Sequence, residues 1–213
     1  MTHFLTSIEL HNQVLDSPSS ISFFILLGVA IVLVYLKTNK NLFFKNLFST
    51  VSSSSTYFDS LLQTGITSSG SVLLQVSFLF LSSLGLCELV QPEISISATS
   101  LARSFLLVAG LYVFQFMGLY IFSIIKFSGD TDFLRKRLAY NEFNALLLFV
   151  GLIAVFYLPF STSYFNIILF CVVWLVNMVG SSAYLLGNIS VFHIILYLCI
   201  LELIPVLFLI KYL

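Results

Sequence analysis

The sequence predicts an all-α, polytopic helical membrane protein with about six transmembrane helices and short amphipathic helices at the membrane interface. Hydrophobic residues make up 59% of the 213 positions and charged residues only 8%. Mean hydropathy is +1.07, whereas about a quarter of a soluble domain is charged. The apolar runs approach the roughly 20 residues that cross a bilayer. A formal net charge of +0 gives no basic surface for nucleic acid, so the lipid bilayer is the expected surrounding.

Six apolar segments are the predicted spans of one integral membrane domain, residues 1–213. They are Ile21–Leu36, Ser71–Val90, Leu101–Ile125, Phe143–Phe160, Tyr164–Leu186 and Ile189–Ile210. Between the last two, Gly187 and Asn188 predict a helix stop followed by a tight reversal.

Three stretches outside the spans have a pattern of their own. Residues 1–18 space their apolar side chains as in an amphipathic helix, which we expect on the outer leaflet. Residues 37–69 are predicted to be a cytoplasmic amphipathic loop. Residues 127–142 are predicted to be a basic cytoplasmic extension, in which helix-capping residues lead without a breaker into the fourth span.

The distribution of lysine and arginine predicts the orientation. Seven of the nine basic residues fall on one side of the predicted spans. These are Lys37, Lys40, Lys45, Lys126, Arg135, Lys136 and Arg137. Only Arg103 and Lys211 fall on the other side. Because cytoplasmic loops carry the excess of basic residues, both termini are expected outside the cytoplasm.

The last predicted span contains an ionisable carboxyl, Glu202, near its middle. A carboxylate there costs about 2.5–3.5 kcal/mol on insertion scales. Pro205 cannot donate a backbone hydrogen bond, so it frees a carbonyl in the same turn. His193 falls on the opposite helix face, and its neighbour one turn on is Tyr197. Two interpretations stay open: a protonated glutamate bonded to a neighbouring helix, or a site for a proton or ligand.

Five other polar residues are candidates for packing or function. Glu88 and Arg103 flank the ten-residue loop after span two, where they either pair or are solvated separately. Gln75, Gln115 and Asn177 lie inside spans. Amides there hydrogen-bond across helices at about 0.6–2 kcal/mol, or line a substrate path.

No catalytic constellation is recognisable in the sequence. It lacks an HExxH zinc motif, a P-loop and a GxSxG with a placed histidine. The cysteines Cys87, Cys171 and Cys199 sit in apolar runs without metal-ligand spacing, and we interpret them as small buried hydrophobes. We therefore expect a protein that is not an enzyme and has no cofactor or metal.

The tail "YLCILELIPVLFLIKYL" resembles the C-terminal signature of an uncharacterised family of polytopic inner-membrane proteins from Bacteroidota, a domain of unknown function. The resemblance is to a pattern YLCxLExxPxxxxxK, carried here by Tyr197, Leu198, Cys199, Leu201, Glu202, Pro205 and Lys211. "RLAYNEFN" at 137–144 is compatible with that family. The resemblance implies a Gram-negative inner membrane, with periplasmic termini, and implies no reaction.

Two functions follow as hypotheses. The first is a non-catalytic accessory or structural subunit of a larger bacterial envelope complex, of the protein-export or envelope-biogenesis type, with other integral membrane proteins as partners. The alternative is a small transporter or proton-coupled membrane component that uses Glu202, with Gln115 or Asn177 as polar lining.

Overall fold

The computed structural model describes residues 20–39, 44, 47, 69–90, 96–127, 132–157, 162–186, 190, 194–195 and 197–204. This part of the chain is helical and contains no strand. Its elements are α1 (Ser20–Asn39), α2 (Ser69–Val90), α3 (Ala98–Phe127), α4 (Asp132–Tyr157), α5 (Thr162–Leu186) and a π-helical segment (Leu198–Leu203). The predicted all-α, polytopic membrane fold is confirmed.

The first, second, third and fifth predicted spans each lie within one of these helices, and the fourth, Phe143–Phe160, coincides with α4 as far as Tyr157. Four helices are long and apolar enough to cross a membrane: Ile21–Asn39, Ser69–Val90, Ala98–Ile125 and Lys136–Tyr157. A shorter apolar helix covers Tyr164–Gly180. The sixth predicted span is described only in part, so the number six stays a prediction.

Helices α2, α4 and α5 form the centre of the bundle. Leu81 and Leu84 of α2, Leu148 and Leu152 of α4 and Val173 of α5 are all buried in one apolar cluster. Contacts pair early residues of α2 with early residues of α4, so these two helices run parallel, and α5 runs antiparallel to both. We call the end at which α2 and α4 begin the basic end, because Lys136 and Arg137 lie near it.

Close contact between α4 and α5 depends on two glycines. A Cβ at Gly151 would overlap the Leu169 side chain, and a Cβ at Gly180 would overlap the Tyr140 ring. Small residues permit such close approach between membrane helices. The glycines thus set the α4–α5 spacing.

Helix α3 lies at the periphery and packs mainly against α2. Phe80 and Phe105 bring their ring centroids to 5.0 Å. Near the loop between the helices, the Cys87 Sγ lies 3.4 Å from the Ser100 Oγ. The ten-residue loop predicts neighbouring antiparallel helices, and this contact confirms it.

Part of the predicted amphipathic loop covers the basic end of the bundle. Leu47 is buried together with Leu36, Leu74 and Ala145, and Phe44 packs beside them. Most of the rest of residues 40–68, and all of 1–18, lies outside the described residues. Helix α4 begins at Asp132, and its first turns are packed: Leu134, Lys136 and Arg137 are buried.

The π-helical segment Leu198–Leu203 follows Tyr197, a buried tyrosine. The Ile204 N–H donates to the Cys199 carbonyl, the five-residue step of a π-helix. Tyr197 packs against Phe122 of α3 at 5.6 Å between ring centroids, with Leu119 and Leu134 in the same cluster. The segment is thereby held against α3 near the basic end.

Candidate functional site

A carboxyl group lies in the interior of the bundle, on α4. Glu142 is only 7% exposed, and the Ser71 hydroxyl of α2 donates a hydrogen bond to its Oε1. The Gln75 side chain, one turn further along α2, lies near this carboxyl. Ser71 and Gln75 are four residues apart, so both lie on the face of α2 that meets α4. Two polar side chains of α2 therefore surround one carboxyl of α4.

Gln75 extends this arrangement to a third helix. Its Nε2 donates to the Leu138 backbone carbonyl at 2.9 Å, and its Oε1 accepts from the Tyr112 hydroxyl of α3 at 2.7 Å. Asn141 of α4 lies near the same hydroxyl. We call Ser71, Gln75, Tyr112, Asn141 and Glu142 the Glu142 cluster. Its hydrogen bonds join α2 to α4 through Ser71 and Gln75, and α2 to α3 through Gln75.

The Glu142 carboxyl contacts hydrogen-bond donors but no cation among the described residues. Lys136 and Arg137, on the same helix, are each buried as well. The Arg137 Nη1 donates to the Asn177 backbone carbonyl of α5 at 3.2 Å. The guanidinium therefore reaches towards α5, while the carboxyl is bonded to α2.

Buried asparagines bind α5 to the other central helices. The Asn144 Nδ2 donates to the Val173 carbonyl at 3.4 Å, and the Asn166 Nδ2 donates to the Gly85 carbonyl at 2.8 Å. The Oδ1 atoms of Asn144, Asn166 and Asn177 are buried without a hydrogen-bond partner within the described part of the chain. The Trp174 Nε1 is likewise buried without a hydrogen-bond partner within the described part of the chain. Buried polar atoms of this kind can bind an internal water molecule or a ligand with a complementary polar group.

The structure describes the side chains of five predicted candidates: Glu88, Arg103, Gln115, Asn177 and Tyr197. Asn177 is buried beside Arg137, and Tyr197 is buried against Phe122. Gln115 is half-buried on α3 and makes polar contacts of its own. Its spacing from Tyr112 and Leu119 puts all three on one face of the helix, towards the bundle.

Glu88 and Arg103 are not brought together. Glu88 is half-buried near the end of α2, Arg103 is exposed on α3, and the structure places no ion pair between them. Of the predicted tail residues, Glu202 has its backbone in the π-helical segment, while its side chain lies outside the described residues. His193 and Pro205 lie outside them altogether.

The expectation that all three cysteines are buried is wrong for two of them. All are free thiols, and Cys87 is buried, but Cys171 and Cys199 are exposed. Their helix faces point away from the other described helices, where lipid solvates an apolar thiol as well as a protein core does. No group of three or more His, Cys, Asp or Glu side chains capable of holding a metal ion occurs among the described residues.

Gln75 hydrogen-bonds across helices as predicted, but the rest of the Glu142 cluster was not predicted, although the sequence contains a signal for a buried face at the start of α4. Arg137, Asn141 and Asn144 recur at intervals of four and three residues, the spacing of one helix face. That face continues without interruption into an apolar span. Polar residues in this pattern indicate a buried interhelical surface. In an extension that is surrounded by water, polar residues can occupy every face of the helix and need not recur on one.

This architecture, an all-α bundle with four apolar helices of membrane-crossing length and polar groups bonded across its interior, defines a polytopic integral membrane protein. The chain belongs to the family described as domain of unknown function DUF4271, which matches residues 21–213. The match covers every described helix and the tail that led us to expect an uncharacterised family. Neither a curated protein nor a solved structure matches the chain.

Proposed function

We propose that the protein is a non-catalytic integral membrane subunit of a larger bacterial envelope complex, and that α3 is the helix through which it binds its partners. The observation that carries the proposal is how few α3 residues are buried in the described bundle. Only 6% of its apolar window is buried, against 22% for α1 and 50% for α2 and for α4. Among the four described membrane-crossing helices, α3 thus has the smallest buried share.

The outer face of α3 also has the shape of a helix-binding surface. Gly110, Phe114, Met117 and Ile121 follow one another at intervals of four, three and four residues. Gly110 has nothing within 4 Å of the position of a Cβ, so it leaves a gap between bulky exposed side chains. Glycines in such positions let a second membrane helix approach closely. No described helix of this chain uses the gap.

The test fills the gap at Gly110 with a larger side chain and measures whether partner proteins still co-purify with the chain. The full chain with Gly110→Leu is extracted from its native membrane in a mild detergent, beside the wild type and Gly28→Leu. Gly28 is the matched control, because it is an exposed α1 glycine that also has open space around it. We expect stoichiometric partners with the wild type and Gly28→Leu and their loss with Gly110→Leu. A wild-type chain that leaves the membrane alone and intact would contradict the subunit role.

The proposed location is the inner membrane of a Gram-negative cell, with both termini in the periplasm. It is supported by the seven basic residues on one side of the spans against two on the other. The basic end of the bundle would then face the cytoplasm.

The alternative, a proton-coupled component that uses Glu202, has one observation in its favour. The Glu202 backbone lies in a π-helical segment, and π-helical turns within helices occur frequently at functional sites. Replacing Glu202 by Gln preserves size and hydrogen bonding but removes ionisation. For a packing role, we expect Glu202→Gln to assemble and function nearly as the wild type, and Glu202→Leu to lose assembly. Normal assembly with abolished function in Glu202→Gln would favour the proton-coupled alternative.

A further inference from the structure

We propose that Glu142 reversibly binds a proton inside the bundle, and that the hydrogen bonds through Gln75 and Tyr112 couple this proton to the packing of α3. The proposal depends neither on the accessory role nor on Glu202. It concerns a site that only the folded bundle assembles, since its members come from α2, α3 and α4.

The side chains around the Glu142 carboxyl are neutral hydrogen-bonding groups. Such surroundings favour a carboxyl that gains and loses a proton over one held permanently charged in an ion pair. Ser71 and Gln75 face it from α2, and Tyr112 and Asn141 complete the cluster. Among the described residues, no ion pair joins the carboxyl to a basic side chain. The Arg137 guanidinium is instead bonded to the Asn177 backbone carbonyl of α5. A buried carboxylate without a paired cation is costly, whereas a carboxylic acid with hydrogen-bond partners is not.

The proton step is simple and needs no other reactant than water. When the proton leaves, the O–H bond of the Glu142 acid breaks and the proton passes to water as hydronium. The remaining carboxylate accepts hydrogen bonds from the Ser71 hydroxyl and the Gln75 amide. In the acid form, the new O–H donates to a neighbouring acceptor, for which the Gln75 Oε1 has a second lone pair. Gln75 therefore makes different hydrogen bonds in the two states.

That change reaches α3 because the Gln75 Oε1 accepts the Tyr112 hydroxyl at 2.7 Å. Tyr112 also packs against Phe78 of α2, with 6.3 Å between ring centroids. Because few α3 residues are buried, we expect a change in this hydrogen bond to alter how the middle of α3 packs against α2. Protonation at Glu142 thus biases the position of the helix that carries the proposed partner surface.

Infrared spectroscopy of the full chain in lipid nanodiscs tests the proton site. We expect a carboxylic-acid C=O band that titrates reversibly with pH, is absent in Glu142→Gln and remains in Glu88→Gln. Glu88 is the control because it is the other described glutamate with a placed side chain, towards the opposite end of α2. Ser71→Ala should move the midpoint by about one pH unit, since it removes a hydrogen bond to the carboxyl. Ser77→Ala should leave it in place, because the Ser77 hydroxyl bonds only within α2, to Leu73.

Hydrogen–deuterium exchange of α3 tests the coupling. After correction for intrinsic exchange, we expect amides around Tyr112 to change protection across the same pH range in the wild type and not in Glu142→Gln. Tyr112→Phe should remove the change on α3 while the infrared titration persists. A band that Glu142→Gln leaves unaltered, or no titrating band at all, would overturn the proton site. A pH-dependent α3 that survives Glu142→Gln, or an α3 indifferent to pH, would overturn the coupling.

Discussion

Gly180 has no room for a side chain, because a Cβ there would overlap the Tyr140 ring. Gly180 of α5 faces the buried Tyr140 ring of α4, which cannot move aside as a flexible aliphatic chain would. Three residues earlier on α5, the Asn177 carbonyl accepts a hydrogen bond from Arg137, so this stretch also carries a buried polar contact. Steric and polar constraints therefore meet at the same few residues.

We predict that Gly180→Ala lowers the free energy of unfolding by about 1–3 kcal/mol, the usual cost of overpacking. Gly110→Ala, in open space on α3, should be neutral or slightly stabilising, because alanine favours a helix over glycine by about 1 kcal/mol. Thermal unfolding of both variants in the same detergent measures the difference. Equal stability of the two would contradict the proposed close approach of α4 and α5.

Individual polar residues could be predicted from the sequence only where an apolar run surrounds them. Asn177 meets that condition, and it is buried. Glu142 lies next to a basic cluster, which favours the interpretation of a solvated extension, yet it is 7% exposed. Its burial depends on Ser71 and Gln75, more than 60 residues earlier in the chain, and local composition contains no information about that contact.

At the level of elements, the short loop between α2 and α3 determines one helix pair. Phe80 and Phe105, Phe78 and Tyr112, and Cys87 and Ser100 meet in antiparallel order along the two helices. The short distance between the Cys87 Sγ and the Ser100 Oγ makes this pair testable by cross-linking.

We predict that Ser100→Cys forms a disulfide with the native Cys87 on mild oxidation, because 3.4 Å now separates the Sγ and Oγ atoms. The background chain carries Cys171→Ala and Cys199→Ala, which removes the two exposed thiols. Thr99→Cys is the control, since Thr99 is exposed and lies on another side of the helix. Proteolysis between the helices, followed by non-reducing electrophoresis, detects the bond. Equal cross-linking at both positions would argue against the observed pairing.

Helix positions could be predicted from hydropathy because the transfer of side chains into lipid depends on local composition, and a segment in lipid satisfies its backbone hydrogen bonds within its own helix. Four of the first five spans accordingly fall within observed helices, and the fourth coincides with α4 as far as Tyr157. Which helices pack at the centre could not be predicted in this way. In lipid both faces of a helix are apolar, so the periodicity that identifies the buried face of a soluble helix is weak. A glycine does not identify a helix contact either: Gly151 and Gly180 lie where α4 and α5 approach closely, whereas Gly110 has nothing within 4 Å of the position of a Cβ.

At the level of the whole molecule, the parallel pair α2 and α4 places both helix starts at the basic end. Lys136 and Arg137 are buried there, and the exposed Lys37 of α1 lies at the end of the helix that precedes α2. The asymmetry of charge seen in the sequence is thus also an asymmetry of the folded bundle.

We predict that this end faces the cytoplasm. In a chain without other cysteines, Ser97→Cys should react with a membrane-impermeant maleimide in intact cells, whereas Thr38→Cys should react only after permeabilisation. Both positions are exposed and lie at opposite ends of the bundle. The reverse labelling pattern would invert the proposed topology.

Trp174 is the single tryptophan of the chain, and its buried Nε1 has no hydrogen-bond partner in the described bundle. An indole N–H in dry surroundings fluoresces at shorter wavelength than one that is bonded to water. The emission of this one residue, three positions before Asn177 on α5, therefore reports optically whether water reaches the buried indole. Water that enters to bond the oxygens of Asn144 or Asn177 would shift the emission to the red without any added label.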